Sequence, residues 1–150
     1  MANSAAYKTY KQALKIARGG NPNLGEVFTL LNEAADGGSG AAAAAIASWY
    51  ANGQHVKKST RLAVQWFQKA AALGSSEGFY GIAVAYHEGK GGLGKDDCRA
   101  FQNYLRAAIR GDKEAIREVG RCYWYGSGVQ EDRETAEIWL HRADELGVAD

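Results

Sequence analysis

The chain has 150 residues with a single proline, and it lacks any long hydrophobic run. Proline inside a helix removes a hydrogen bond and clashes with the preceding turn, so its near absence favours helices. The most apolar stretch, residues 41–47, is far too short to span a bilayer, and the amino terminus has no basic flank followed by an apolar segment. We therefore expect a helical chain with no membrane partner, no signal peptide and a cytoplasmic location.

Cysteine and net charge are also scarce. Cys98 and Cys122 form no CxxC pair and no metal-ligand spacing with the three histidines, so no disulfide framework, metal site or cofactor is predicted. The 18 Lys and Arg residues nearly balance the 17 Asp and Glu residues, and acidic side chains interrupt the basic run between residues 99 and 121. A nucleic-acid-binding protein would carry a stronger patch of one sign, so nucleic acid is not expected as a partner.

What the sequence contains instead is an internal repeat. Four columns of identical residues recur at spacings of 36 or 37 positions. Because independent columns share one spacing, we interpret residues 40–75, 76–112 and 113–148 as clear units of a single repeat domain, with residues 5–37 as a degenerate first unit. The columns are Tyr50, Tyr86 and Tyr123; Gly53, Gly89 and Gly126; Ala63, Ala100 and Ala136; and Gly74, Gly111 and Gly147.

Each unit is predicted to contain two helices, A and B, joined by a loop. Small and apolar residues of helix A fall on one helical face in all three clear units. Ser59, Asp96 and Asp132 are typical N-cap residues for helix B, and Gly74 and its two equivalents are expected to end that helix with positive φ. The sequence therefore predicts an all-α fold, an α-solenoid of about four helix–turn–helix pairs with roughly eight antiparallel helices.

The degenerate first unit is expected to contain two helices as well. Asn21 and Pro22 are predicted to cap and begin the second of them. Residues 24–35 form an amphipathic run, and we equate residues 34–37 with residues 71–74. The predicted apolar stripe of the first helix comprises Tyr7, Tyr10, Leu14 and Ala17.

Helix A of each clear unit leaves one face outside the repeat core, and this face is the candidate partner-binding surface. Arg117, Arg121 and Trp124 are the most suggestive residues, because Arg and Trp dominate interface hot spots and an acidic segment of a partner would suit the arginines. In the alternative interpretation, the arginines pair with Glu114 and Glu118 along the helix and do little else. The candidate residues are Ser48, Asn52, Tyr80, Val84, His87, Arg117, Arg121, Trp124 and Tyr125.

The last unit resembles the Sel1-like repeat, a branch of the tetratricopeptide-like solenoids with longer turns. The middle unit departs from the family pattern, because Asn103 stands where tryptophan is usual and its loop is one residue longer. The resemblance implies a right-handed superhelix whose A helices line the concave side, and a role in scaffold, adaptor or regulatory binding. The matching residues are Ala115, Val119, Gly120, Tyr123, Gly126, Gly128, Val129, Asp132, Ala136, Trp139, Arg142, Ala143 and Gly147.

These features predict a non-catalytic module that binds another protein or peptide, as an adaptor or regulatory binder. No clustered set of catalytic groups is found, so an enzyme is not expected. The alternative is a bacterial immunity or antitoxin-like protein that binds and neutralises a cognate toxin, which a compact chain without an appended domain would suit. The oligomeric state stays open.

Overall fold

The computed structural model describes residues 4–148, and within that range it contains eight α-helices and no strand. The all-α fold class and the four helix pairs predicted from the repeat are therefore confirmed. Each helix is 13 residues long. The helices are α1 (Ala5–Ala17), α2 (Leu24–Asp36), α3 (Gly40–Asn52), α4 (Thr60–Ala72), α5 (Ser76–Glu88), α6 (Asp97–Ile109), α7 (Lys113–Tyr125) and α8 (Arg133–Glu145).

Side-chain caps define where the helices begin. The predicted caps Ser59, Asp96 and Asp132 are confirmed, since each accepts a hydrogen bond from the backbone N–H three residues later, at 2.9 to 3.2 Å. The predicted start of α2 at Asn21 and Pro22 is wrong. Asn23 is the cap there, because its Oδ1 accepts the N–H of Glu26 at 3.2 Å.

The B helices end as predicted, with glycines in the left-handed region. The φ values of Gly74, Gly111 and Gly147 are 85°, 91° and 76°. In the first unit the equivalent glycine lies one position later than we equated, because Gly37 still has a helical φ of −79° and Gly38 has a φ of 104°. Each glycine with positive φ reverses the chain and lets the following amide bond back to the last turn.

The loop between helices A and B closes in the same way in all three clear units. The amide of each helix B cap donates to the carbonyl of the tyrosine near the end of helix A, for example from Ser59 to Tyr50 at 3.0 Å and from Asp132 to Tyr123 at 2.9 Å. The longer middle loop keeps this closure, from Asp96 to Tyr86 at 3.0 Å. Its additional residue is therefore accommodated within the loop and leaves both ends unchanged.

The Cα positions group into two compact units, one ending at Gly78 and the other beginning at Phe79. The core of the first unit consists largely of alanines on α2 and α3, with Val27, Leu31 and Ile46. The stripe predicted for α1 is wrong in part, since Ala6 and Ala13 are buried while Tyr7 is 38% exposed. Ala6 is buried because it packs closely against Gly37, where an added Cβ would lie 3.0 Å from the methyl group of Ala6.

The core of the second unit joins α5, α6, α7 and α8. Gly120 lets α7 approach α8 closely, because a Cβ there would lie 2.8 Å from the Leu140 side chain. Asn103, which replaces the tryptophan of the other units, is buried and donates from Nδ2 to the carbonyl of Arg99 at 2.9 Å. Its amide is thus satisfied within its own helix, and the substitution leaves the fold of this unit intact.

Candidate functional site

A cavity of about 320 Å³ opens in the second unit, between side chains of α5, α6 and α7. Residues spaced by three or four positions on α5 and α7 face it, as one side of a helix requires. From α5 it is lined by Tyr80, Val84, His87 and Glu88. From α6 it is lined by Tyr104, and from α7 and the turn that follows by Glu118, Arg121, Cys122, Tyr125 and Ser127.

Five of the candidate residues proposed from the sequence meet at this cavity. Tyr80, Val84 and His87 line its α5 side, and Arg121 and Tyr125 line its α7 side. The side chain of Tyr125 is 72% exposed, which is unusual for a large aromatic residue. The unused face of helix A thus forms a real concavity in this unit.

Trp124 and Arg117 do not line this cavity. Trp124 lines a neighbouring cavity of about 200 Å³ together with Arg121, Tyr125 and Leu140. The guanidinium of Arg133 lies 4.8 Å from the centre of the Trp124 ring, at cation–π distance. Arg121 and Tyr125 line both cavities and therefore form the ridge between them.

Ser48 and Asn52, the two remaining candidates, lie on α3 in the first unit. Ser48 is half-buried and Asn52 is exposed at the end of the helix. Neither residue lines the cavity of the second unit. The structure therefore places seven of the nine candidates in the second unit and two in the first.

The arginines of α7 pair with carboxylates of the same helix. Arg117 Nη2 lies 3.0 Å from Glu114 Oε2 and 3.7 Å from Glu118 Oε1. Arg121 Nη1 lies 3.4 Å from the same Glu118 oxygen, and the Arg121 side chain is 56% exposed. These contacts are the ones that the alternative interpretation of the sequence describes. Because Arg121 is exposed and its contact with Glu118 is long, this pair contributes only about 1 kcal/mol or less to stability.

Glu118 influences three titratable groups of the cavity. Burial raises the pKa of Tyr80, Tyr104 and Cys122, and for Cys122 it does so to about 11. In all three cases the Glu118 carboxylate makes the largest contribution after burial. These groups therefore stay protonated at neutral pH, and the tyrosine hydroxyls are hydrogen-bond donors in a negative potential.

A second carboxylate lies beside His87. Asp97, the first residue of α6, places Oδ1 3.5 Å from His87 Nδ1, and this oxygen is buried without a hydrogen-bond partner. Asp97 also raises the pKa of Cys122, after burial and Glu118. Asp97 therefore acts on the Cys122 thiol in the same direction as Glu118.

Tyr104 lines the cavity but is not one of the nine candidate residues proposed from the sequence. In the other two clear units, the equivalent positions are Phe67 and Leu140. Tyr104 is buried and contacts Tyr80 edge to face, with ring centroids 5.6 Å apart. The signal that identifies it is a hydroxyl in a column that is otherwise hydrocarbon, since a buried hydroxyl needs a polar neighbour.

Residues 4–148 contain neither a metal-binding cluster nor a helix that could span a membrane. No three His, Cys, Asp or Glu side chains there are grouped so that they could hold a metal ion. Within the same residues, no helix has both the length and the apolar character that crossing a membrane requires.

Comparison with known proteins places these features in context. The family model for the Sel1 repeat matches residues 40–75, 78–112 and 113–148. A chitin synthase regulator of Saccharomyces cerevisiae is 33% identical over 124 residues, which are 81% of this chain but only 18% of that protein. The chain therefore spans less than a fifth of this curated relative.

Solved structures show the same fold. A Sel1 repeat protein from Oxalobacter formigenes superposes with a TM-score of 0.70 at 32% identity, over 78% of this chain and 87% of that one. A protective antigen of uropathogenic Escherichia coli with an SLR fold gives a TM-score of 0.85 at 27% identity, over 96% of this chain and 31% of that one. These likenesses confirm the repeat-solenoid class expected from the sequence.

Proposed function

Because the chain belongs to the Sel1 repeat family, whose members generally mediate protein–protein interactions, we propose that it is a binding module that holds a segment of a partner protein on α5 and α7. Sel1 repeat proteins are generally non-catalytic. The fungal relative is itself a regulator by name, which supports an adaptor or regulatory role. We also propose that the chain acts as an adaptor and that it is located in the cytoplasm.

The observation that carries the proposal is the cavity of the second unit, with Tyr125 at its edge. A concavity with exposed aromatic and arginine side chains around it has the composition of an interface centre. Its volume lies at the lower end of the range for binding pockets, about 300 to 1,000 Å³, which suits one or two side chains of an extended segment. The toxin-neutralising alternative has no structural observation of its own and stays a prediction.

Selection of random short peptides on the immobilised protein tests this proposal. Selected peptides should lose at least about tenfold in affinity when Tyr125 is changed to Ala, the loss typical of a residue at the centre of an interface. Ile109→Ala is the matched control, because Ile109 is also a large apolar residue, 69% exposed, and lies on α6 away from the cavity. Failure to select any peptide, or equal losses with both variants, would contradict the proposal.

A further inference from the structure

We propose that the cavity of the second unit accepts a basic side chain, lysine or arginine, from the partner segment. This inference rests on the proposed function and names the chemistry of the segment. Two carboxylates, Glu88 and Glu118, and one arginine, Arg121, line the cavity. Lys90 does not line it but places Nζ 3.0 Å from Glu88 Oε2, so Glu118 is the carboxylate that would bind the cation. The acidic partner segment expected from the sequence would have to approach both carboxylates.

The Glu118 carboxylate is the anionic group that an incoming cation would meet. Its side chain is only 18% exposed, so its charge acts in a partly desolvated setting. The two recorded distances from its Oε1 to guanidinium nitrogens, 3.4 Å to Arg121 and 3.7 Å to Arg117, exceed the roughly 2.7–2.9 Å of a close charge-assisted hydrogen bond. Both contacts are long, so an incoming cation would compete with these two guanidinium groups for the carboxylate.

Tyrosine rings provide the second part of the site. Tyr80, Tyr104 and Tyr125 all line the cavity. Aromatic faces attract lysine and arginine head groups. The raised pKa of Tyr80 and Tyr104, to which Glu118 contributes after burial, is consistent with a negative potential at both hydroxyls. Carboxylate and aromatic faces together form the combination that recognises organic cations in proteins.

Arg121 has opposite roles in the acidic and the basic interpretation of the partner. If the partner is acidic, Arg121 binds it, and removing the guanidinium weakens binding. If the partner is basic, Arg121 competes for Glu118, and removing it strengthens binding. Because Arg121 is mostly exposed and its contact with Glu118 is long, we expect the gain to be about two- to fivefold.

Nuclear magnetic resonance titration of the whole chain with two small probes tests the inference. The probes are n-butylguanidinium chloride and sodium n-butyrate, which carry opposite charges on the same alkyl group. n-Butylguanidinium should shift the amide signals of Tyr125 and Ser127 and the ring signals of Tyr104, whereas butyrate should not. Equal or larger shifts with butyrate, or no shift at these positions with n-butylguanidinium, would overturn the inference.

Three variants test how each charged side chain affects the binding of n-butylguanidinium. Glu118→Gln should weaken n-butylguanidinium binding about five- to tenfold, since a hydrogen bond to a charged group is lost. Arg121→Gln should strengthen it. Glu114→Gln is the matched control, because Glu114 lies on the same helix, pairs with Arg117 and does not line the cavity. Weaker binding in Arg121→Gln, or equal losses in both glutamate variants, would refute the basic interpretation.

The peptide selection separates this inference from the proposed function. Selected peptides that require Tyr125 and contain no preferred Lys or Arg would overturn the inference while the binding module stands. Failure to select peptides, together with cavity shifts by n-butylguanidinium, would support the cation site and reject the segment-binding role. Far-UV circular dichroism of each variant checks that the helices are retained.

Discussion

Gly128, in the loop between α7 and α8, offers the sharpest test of how the repeats pack. Its φ is +72°, and an added Cβ would overlap the carbonyl oxygen of Asp97 and lie 2.5 Å from the carbonyl carbon. It would also lie 3.0 Å from the backbone nitrogen of Cys98. These are backbone atoms in the first turn of α6, so they cannot move aside as a flexible side chain would. Gly128→Ala should therefore be strongly destabilising.

The expected magnitude has two parts. A left-handed φ costs an L-residue about 1–2 kcal/mol, and overpacking against atoms that cannot yield costs about 1–3 kcal/mol. Gly111→Ala isolates the first part, because its φ is 91° and nothing lies within 4 Å of the added Cβ. Gly94→Ala lacks both, since its φ lies outside the left-handed region and its surroundings are open. We expect losses of about 2–5 kcal/mol for Gly128→Ala, about 1–2 for Gly111→Ala and within about 0.5 for Gly94→Ala.

Urea unfolding followed by far-UV circular dichroism measures all three variants against the wild type. The urea concentration at the midpoint should be highest for Gly94→Ala, lower for Gly111→Ala and lowest for Gly128→Ala, with little change in the slope of the free energy against urea. In thermal unfolding, each 1 kcal/mol corresponds to about 2–4 °C for a chain of this size. If Gly128→Ala and Gly111→Ala are equally stable, the loop does not contact α6 as closely as the structure shows, and the reasoning from packing fails.

Three further predictions concern packing, thiol chemistry and pH. Gly120→Ala should cost about 1–3 kcal/mol, and a smaller side chain at Leu140 should recover part of the loss, so a double-mutant cycle measured by urea unfolding should show coupling. Burial raises the pKa of the Cys122 thiol to about 11, so this thiol should react with iodoacetamide only after unfolding. The exposed Cys98 should react in the folded chain, and equal rates for the two cysteines would contradict the burial of Cys122. The hydroxyl and amide of Thr135 lower the pKa of Asp132, so this residue stabilises the fold above the ordinary pKa of aspartate, and that stability is lost as pH falls through the lower folded value. Asp132→Asn keeps a cap and should reduce the acid dependence of the melting temperature; an unchanged pH profile would argue against the contribution.

Local features of this chain were readable from its sequence. A cap such as Ser59 bonds to an amide three residues away, and a glycine such as Gly74 takes a φ that depends on its own lack of a side chain. Both effects act over a few residues, and the repeat shows each of them three times. The first unit lacks that repetition. The sequence therefore did not identify Asn23 as the cap of α2, Gly38 as the glycine with positive φ after it, or the buried alanines of α1.

The candidate site was only partly predictable, because helical spacing describes one helix at a time and not how neighbouring helices pack. Helical spacing placed Tyr80, Val84 and His87 on one face of α5, and Arg121 and Tyr125 on one face of α7. It also allowed both arginines of α7 to pair with Glu118, as they do. It did not show that this carboxylate would be only 18% exposed, because that depends on the packing of neighbouring helices. Tyr104 is buried in the core of the second unit and also lines the cavity, and helical spacing alone does not reveal this second role.

By itself, the sequence determined the eight helices found within residues 4–148, most of their ends and the family to which the chain belongs, since these depend on residue type and spacing within one repeat. Only the tertiary structure decided that the second unit contains a cavity and which charge lines it. The separation of α5, α6 and α7 depends on how small residues such as Ala83 and Ala115 pack in the shared core. A carboxylate gains influence over its neighbours only when that packing excludes water from around it, as it does for Glu118.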